Sequence, residues 1–117
     1  MQLIAYLSTG KGTWGHVSHL ISNEEWEDII LVTNDFGKEN FTPEKKAEFI
    51  IVDSSQALLL LTQEIQEKLK DKIKGTEVAL NIVSGTGKEH MALLSALLKL
   101  GVGIRLKALT KDGVKEL

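Results

Sequence analysis

Apolar residues along the chain fall into short dense runs, separated by stretches in which they recur every three or four positions. The first run, Gln2–Leu7 (QLIAYL), has the density of a central parallel strand. Ser8-Thr9-Gly10-Lys11-Gly12-Thr13 breaks it. Val17, Leu20 and Ile21 then give a helix over Trp14–Ile21 one apolar face, with Thr13 or Ser8 as its cap. Ser22-Asn23-Glu24-Glu25 has the spacing of a capping box, but at most one turn fits before the second strand, Ile29–Thr33 (IILVT). Thr42-Pro43-Glu44 reads as a helix start with Pro at the first helical position. The third strand, Glu48–Val52, follows so soon that the crossover from Phe36 to Lys46 has only about 11 residues, near the lower limit for one that contains a helix. An edge position for one of these two strands, or a loop-like crossover, relieves the problem.

In the second half the periods lengthen. Asp53-Ser54-Ser55 is placed to cap the longest helix, Gln56–Ile73, whose stripe is Ala57, Leu58, Leu61, Ile65, Leu69 and Ile73. Leu59 and Leu60 lie off that stripe, which fits either wider burial against the sheet or a subunit contact. Gly75-Thr76 closes the helix and Glu77–Val83 is the fourth strand. The next helix, Lys88–Leu100, is apolar nearly all round (Met91, Ala92, Leu93, Leu94, Ala96, Leu97, Leu98, Leu100). A helix of that kind is usually covered on every side, so a homodimer interface is expected there. Ile104–Leu109 is a fifth strand, and Asp112-Gly113 turns the chain into a short run, Val114–Leu117. That run is a four-residue strand or the start of a longer protein. The order predicts an α/β fold: three-layer and Rossmann-like, with a mostly parallel five-stranded sheet and a C-terminal antiparallel hairpin strand.

Composition narrows the class. A chain of 117 residues fits one domain with a core that needs no staples. Cys is absent, which excludes thiolate chemistry, Cys-zinc sites and disulfides. Fourteen Lys and Arg stand against 16 Asp and Glu, for a net charge of -2, so broad binding to duplex nucleic acid is not expected. No uncharged apolar run reaches the roughly 18 residues of a membrane span, and the start lacks a basic leader region. A cytoplasmic protein without membrane contact is the expectation.

Two glycine-containing turns carry the candidate chemistry. Gly10-Lys-Gly12-Thr-Trp-Gly15 follows the first strand and is formally G-x-G-x-x-G, with Asp35 at the end of the second strand in place for a ribose. A dinucleotide site, another ligand-facing loop and a plain glycine-rich loop all fit it. A dehydrogenase needs a substrate domain for which there is no room. Ser84-Gly85-Thr86-Gly87-Lys88 joins the fourth strand to its helix. It is not a Walker loop: Ile82 stands where the first glycine belongs, and Glu89 where the magnesium-binding hydroxyl belongs. It still offers backbone donors, two hydroxyls and a Lys at a helix N-terminus, or else a flexible turn with a solvated Lys88. His16, His19 and His90 are the only histidines; no metal-binding motif contains them, and no metal or cofactor is expected. In a doubly wound sheet the first and fourth strands end side by side, so both turns should line one crevice.

The segment Asn81-x-x-Ser84-Gly85-Thr86-x-Lys88-x-x-Met91, preceded by the polar glycine loop after the first strand, resembles the CRISPR-associated Rossmann-fold (CARF) domain family. Members carry Asp or Asn at the end of the fourth strand, then a Thr/Ser-Gly-Gly-Thr-Lys-like turn, then Met or a small apolar residue in an apolar helix. The likeness covers nearly the whole chain in order of elements. It implies a homodimer whose two crevices meet at the two-fold axis and bind a cyclic oligoadenylate. A C-terminal effector domain, a winged helix or a nuclease, commonly follows and is not contained in this sequence. Asn81, Ser84, Gly85, Thr86 and Lys88 match the second ligand-binding motif, and Ser8, Thr9, Gly10, Lys11 and Gly12 match the loop after the first strand. Gly87 stands where the family has its basic residue, which lengthens the turn by one.

Some members cleave the cyclic ligand without a metal by aligning a ribose 2′-hydroxyl with the scissile phosphate. Lys11, His16, Ser84 and Lys88 are the residues available for that here, His16 because an unperturbed imidazole titrates in the range suited to a general base. The expected functions are therefore a nucleotide-sensing domain, a ring nuclease on the same ligand, a dinucleotide binder, or a scaffold with no small ligand.

Overall fold

The computed structural model describes Met1–Leu117. Five strands, β1 (Gln2–Tyr6), β2 (Ile29–Thr33), β3 (Glu48–Ile51), β4 (Glu77–Asn81) and β5 (Gly103–Thr110), run parallel, and β6 (Gly113–Glu116) returns antiparallel beside β5. They form one sheet in the order β3-β2-β1-β4-β5-β6. β1 and β2 are apolar at nearly every position because both faces are covered. Ile4, Tyr6, Ile30, Val32, Val78 and Leu80 point to one side, where α3 (Leu58–Leu69) and α4 (Gly87–Lys99) pack. Leu3, Ala5, Leu7, Ile29, Leu31 and Ala79 point to the other, under α1 (Trp14–Ser22) and beside Phe41, which follows α2 (Asp35–Asn40). The result is a three-layer Rossmann-like fold, and no helix in it is long and apolar enough to cross a membrane.

The short crossover is accommodated by β3 lying at the sheet edge. Its helix is not the one that Thr42-Pro43-Glu44 predicts. The helix lies earlier, at Asp35–Asn40, because Asn34 Oδ1 accepts from Gly37 N at 2.9 Å and caps it directly after β2. Gly37 is required there, since any Cβ would run into the Thr33 hydroxyl. Ser22-Asn23-Glu24-Glu25 starts no helix: Ser22 ends α1 and its hydroxyl bonds Ser18 O and Glu44. Asp53 does not cap α3 either. Its carboxylate takes Ser55 N and Ser55 Oγ in a local turn, and the helix begins only at Leu58 and ends at Leu69. Leu59 and Leu60 are accordingly not tucked against the sheet. They are 62% and 53% exposed, and Met91 and Leu98 of α4, opposite its buried Ala92, Leu93, Ala96 and Leu97, are 58% and 68% exposed.

Candidate functional site

β1 has β2 on one side and β4 on the other, so the chain reverses its direction of travel across the sheet between β1 and β4. Crossovers leave the C-terminal ends of these two strands toward opposite faces, the place at which open α/β sheets present a binding crevice. Both glycine turns start there. They touch: Ser8 N donates to Ser84 Oγ at 2.9 Å.

The second turn is tightly determined. Thr86 is the N-cap of α4, with Oγ1 accepting from Glu89 N at 3.2 Å while the Glu89 carboxylate accepts from Thr86 N at 2.8 Å. This reciprocal capping box is worth about 1 kcal/mol or more, and it was legible as Thr-x-x-Glu in the sequence, where Glu89 otherwise serves only to reject the Walker pattern. His90 Nε2 donates to Ser84 O at 3.0 Å, which fixes the proton on that nitrogen. Gly85 sits between at φ +124, where a Cβ would come within 2.7 Å of the His90 ring. Ser84 is fully buried and its hydroxyl faces Ser8, not solvent. Asn81, 2% exposed, spends its amide on Lys107 O, His16 and Val83 N. Thr86 and Gly87 are exposed, and the half-buried Lys88 reaches Ser54 O at 3.1 Å, bracing α4 against the loop before α3.

The first turn is loose by comparison. Thr9, Gly10, Lys11 and Gly12 are exposed, and Ser8 is half-buried with its carbonyl taken by Trp14 Nε1 at 2.9 Å. A 3₁₀ turn over Lys11–Thr13 leads into α1. The Lys11 ammonium lies over Trp14 and Phe36, 5.8 and 5.3 Å from the ring centres. Gly10, Gly12 and Gly15 all have negative φ, and a Cβ on any of them would meet nothing. In a dinucleotide fingerprint these glycines permit a tight turn and close helix–strand packing. Here they do neither, although the spacing is right.

Beside the two turns a cleft of about 630 Å³ lies over the ends of β1, β2 and β3; Thr9 of the first turn lines it, but Ser84–Lys88 does not. Thr9, Asn34 and Asp35 form one wall, Asp53, Ser54 and Ser55 another, and Glu64, Lys68 and Glu89 the third. Four carboxylates face one ammonium. Ser55 Oγ and N hold the Asp53 carboxyl below the usual range, against a smaller opposing effect of burial. For Glu64 burial alone would raise the pKa, but Asp53 N, Lys68 and Gln56 outweigh it and lower the value. On the floor the Tyr6 hydroxyl meets Ser54 Oγ at 2.8 Å, and burial pushes the phenol far above its ordinary pKa. No three His, Asp or Glu side chains are close enough to share a metal ion. A phosphate gains nothing in this cleft. At the crest of the second turn Thr86 Oγ1 takes Glu89 N, which leaves Gly87 N and Lys88 N as the unpartnered backbone donors at the start of α4.

Fold and loops together define a Rossmann-like α/β module whose two glycine turns meet at the strand-order reversal, an architecture compatible with nucleotide binding. The chain matches no protein-family profile and no curated protein.

Proposed function

We propose that this chain is a CARF-type nucleotide-sensing module that binds a cyclic oligoadenylate-class ligand across the axis of a homodimer. The observation that carries the reading is the junction of the two turns: Ser8 N on Ser84 Oγ holds the two resemblance-matched segments side by side at the strand-order reversal. The phosphates belong at the crest formed by Gly85, Thr86, Gly87 and Lys88, with Thr9, Gly10, Lys11 and Gly12 as the opposite rim. The acidic cleft behind repels them and so favours that side. The exposed apolar side chains of α3 and α4 supply the surface that a second copy would cover. Calorimetric titration with cyclic tetra-adenylate and cyclic hexa-adenylate tests this. Binding by one of them, weakened about tenfold or more in Lys88→Ala, supports the reading. No heat with either, and no change on substitution, removes it.

Cleavage of the same ligand is the second reading, and two of its four candidate residues are poorly placed for it. Ser84 is buried, and the His16 Nε2 lone pair faces two donors. Lys11 and Lys88 are the groups left to stabilise developing charge. Labelled cyclic oligoadenylate recovered intact after long incubation with a saturating amount of protein leaves binding alone.

A further inference from the structure

At the start of α1 one imidazole ties the helix to the far half of the sheet. His16 Nε2 lies 3.3 Å from Leu109 N on β5 and 3.2 Å from Asn81 Nδ2 at the end of β4. A backbone N–H only donates, so Nε2 carries a lone pair. The Asn81 amide agrees. Its Nδ2 donates to Lys107 O at 2.8 Å and its Oδ1 accepts from Val83 N at 3.2 Å, so turning it round would set oxygen against oxygen and donor against donor. The ring is therefore neutral, with its proton on Nδ1.

A second proton would have to go on Nε2, where two donors already point. No carboxylate bears on the ring to compensate; burial first, and then the neighbouring His19, both disfavour the charge. The charged groups on the surrounding elements are engaged elsewhere or turned outward. Lys107 of β5 lies over Trp26 and 3.7 Å from Glu24. Lys11 lies over Trp14 and Phe36, while Lys111 and Asp112 are exposed in the β5–β6 turn. The ring itself is half-buried, so solvent protons reach it.

We propose that His16 is a positioning residue whose neutral ring latches the α1 end of the Ser8–Gly12 loop to β4 and β5, and that a proton on Nε2 opens this latch. Nucleotide binding at the crevice then weakens in acid, a consequence that rests on the reading above; the latch itself does not. The sign follows from the lowered pKa. At pH values above that of an ordinary His both folded and unfolded chains are neutral and the latch contributes fully. As pH falls the unfolded chain takes the proton first, and the contribution is lost on passing through the folded-state value.

The test is made on the free protein. Nitrogen NMR of the histidine rings should find His16 as the Nδ1–H tautomer with a midpoint below that of an ordinary His. The protection of the Leu109 amide against hydrogen exchange should fall about tenfold or more from about pH 7.5 to about pH 5. In His16→Gln, whose side-chain oxygen reaches a similar position and accepts without titrating, that protection should change by less than about twofold over the same range. An Nε2–H tautomer, a midpoint at or above the ordinary value, or Leu109 protection equally pH-insensitive in wild type overturns the proposal. Wild-type spectra decide it even if the variant does not fold. Titrating cyclic tetra- and hexa-adenylate at both pH values then reads the linkage. Failure of both nucleotides to bind at either pH strikes the ligand reading and leaves the latch standing. Equal affinity at the two pH values, with the latch seen to open, removes the coupling between them.

Discussion

The two turns that meet at the crevice are built in opposite ways. Ser84–Lys88 is held by reciprocal bonds between Thr86 and Glu89, by His90 on Ser84 O, and by a glycine at a φ that other residues resist. Ser8–Gly12 is exposed, its glycines have ordinary backbone angles, and only Ser8 is tied down at both N and O. A pre-shaped turn facing a compliant one lets a ligand find fixed donors on one side and a rim that adjusts on the other. Ordering that rim costs conformational entropy when the ligand binds, so affinity depends on how far the rim is already held.

Substitutions that reverse the two characters break the comparison. The largest effect is expected for Gly85→Ala, which combines a disfavoured φ with a methyl against the His90 ring. It should lower unfolding free energy by about 2–3 kcal/mol in urea titration, whereas Gly12→Ala should shift it by less than about 0.5. An equal response at the two glycines would end the distinction. Next, Ser84→Ala leaves Ser8 N without its acceptor inside the junction. A loss of about 1–2 kcal/mol is expected, together with faster exchange of the Ser8 amide. Thr86→Ala removes the cap and should cost about 1 kcal/mol, while Thr86→Ser retains most of it. Among the substitutions that remove a contact, the smallest effect belongs to Lys11→Ala. An exposed ammonium over aromatic rings contributes about 0.5–1 kcal/mol at most, so the melting temperature should fall by no more than about 5 °C, while any loss of nucleotide affinity is read separately.

Much of this architecture can be read along the chain, for identifiable reasons. β1, β2 and β4 are covered on both faces, so their runs are continuous and their bounds nearly self-evident. The antiparallel end follows from Asp112-Gly113, where Gly113 adopts φ +102. The misplaced helix starts share one cause, competition between local side-chain bonds. Asn34, Asp53 and Ser22 are all good caps, and sequence spacing does not tell which carboxylate, amide or hydroxyl closes a local turn instead. Asn34 capped a helix, Asp53 folded onto Ser55, and Ser22 bonded backward to Ser18. The two turns were legible as a pair because topology alone brings them together. The acidic cleft was not: Asp35, Asp53, Glu64 and Glu89 come from four separate elements, and no spacing along the chain relates them. The roles of His16 and Asn81 were hidden for the same reason, since their partners are backbone groups on β5.

The bond from Ser8 to Ser84 also has a meaning in time. Its two ends are 76 residues apart in a chain that is made from the β1 end. β1 can pair early with β2, but its other edge has no partner until Glu77–Asn81 has been synthesised and brought round by α3. Until then Gln2, Leu3, Ile4 and Ala5 present an unpaired apolar strand edge, the kind of surface on which partly made chains associate wrongly. The junction of the two turns can therefore be displayed only by a chain that has completed its central pairing.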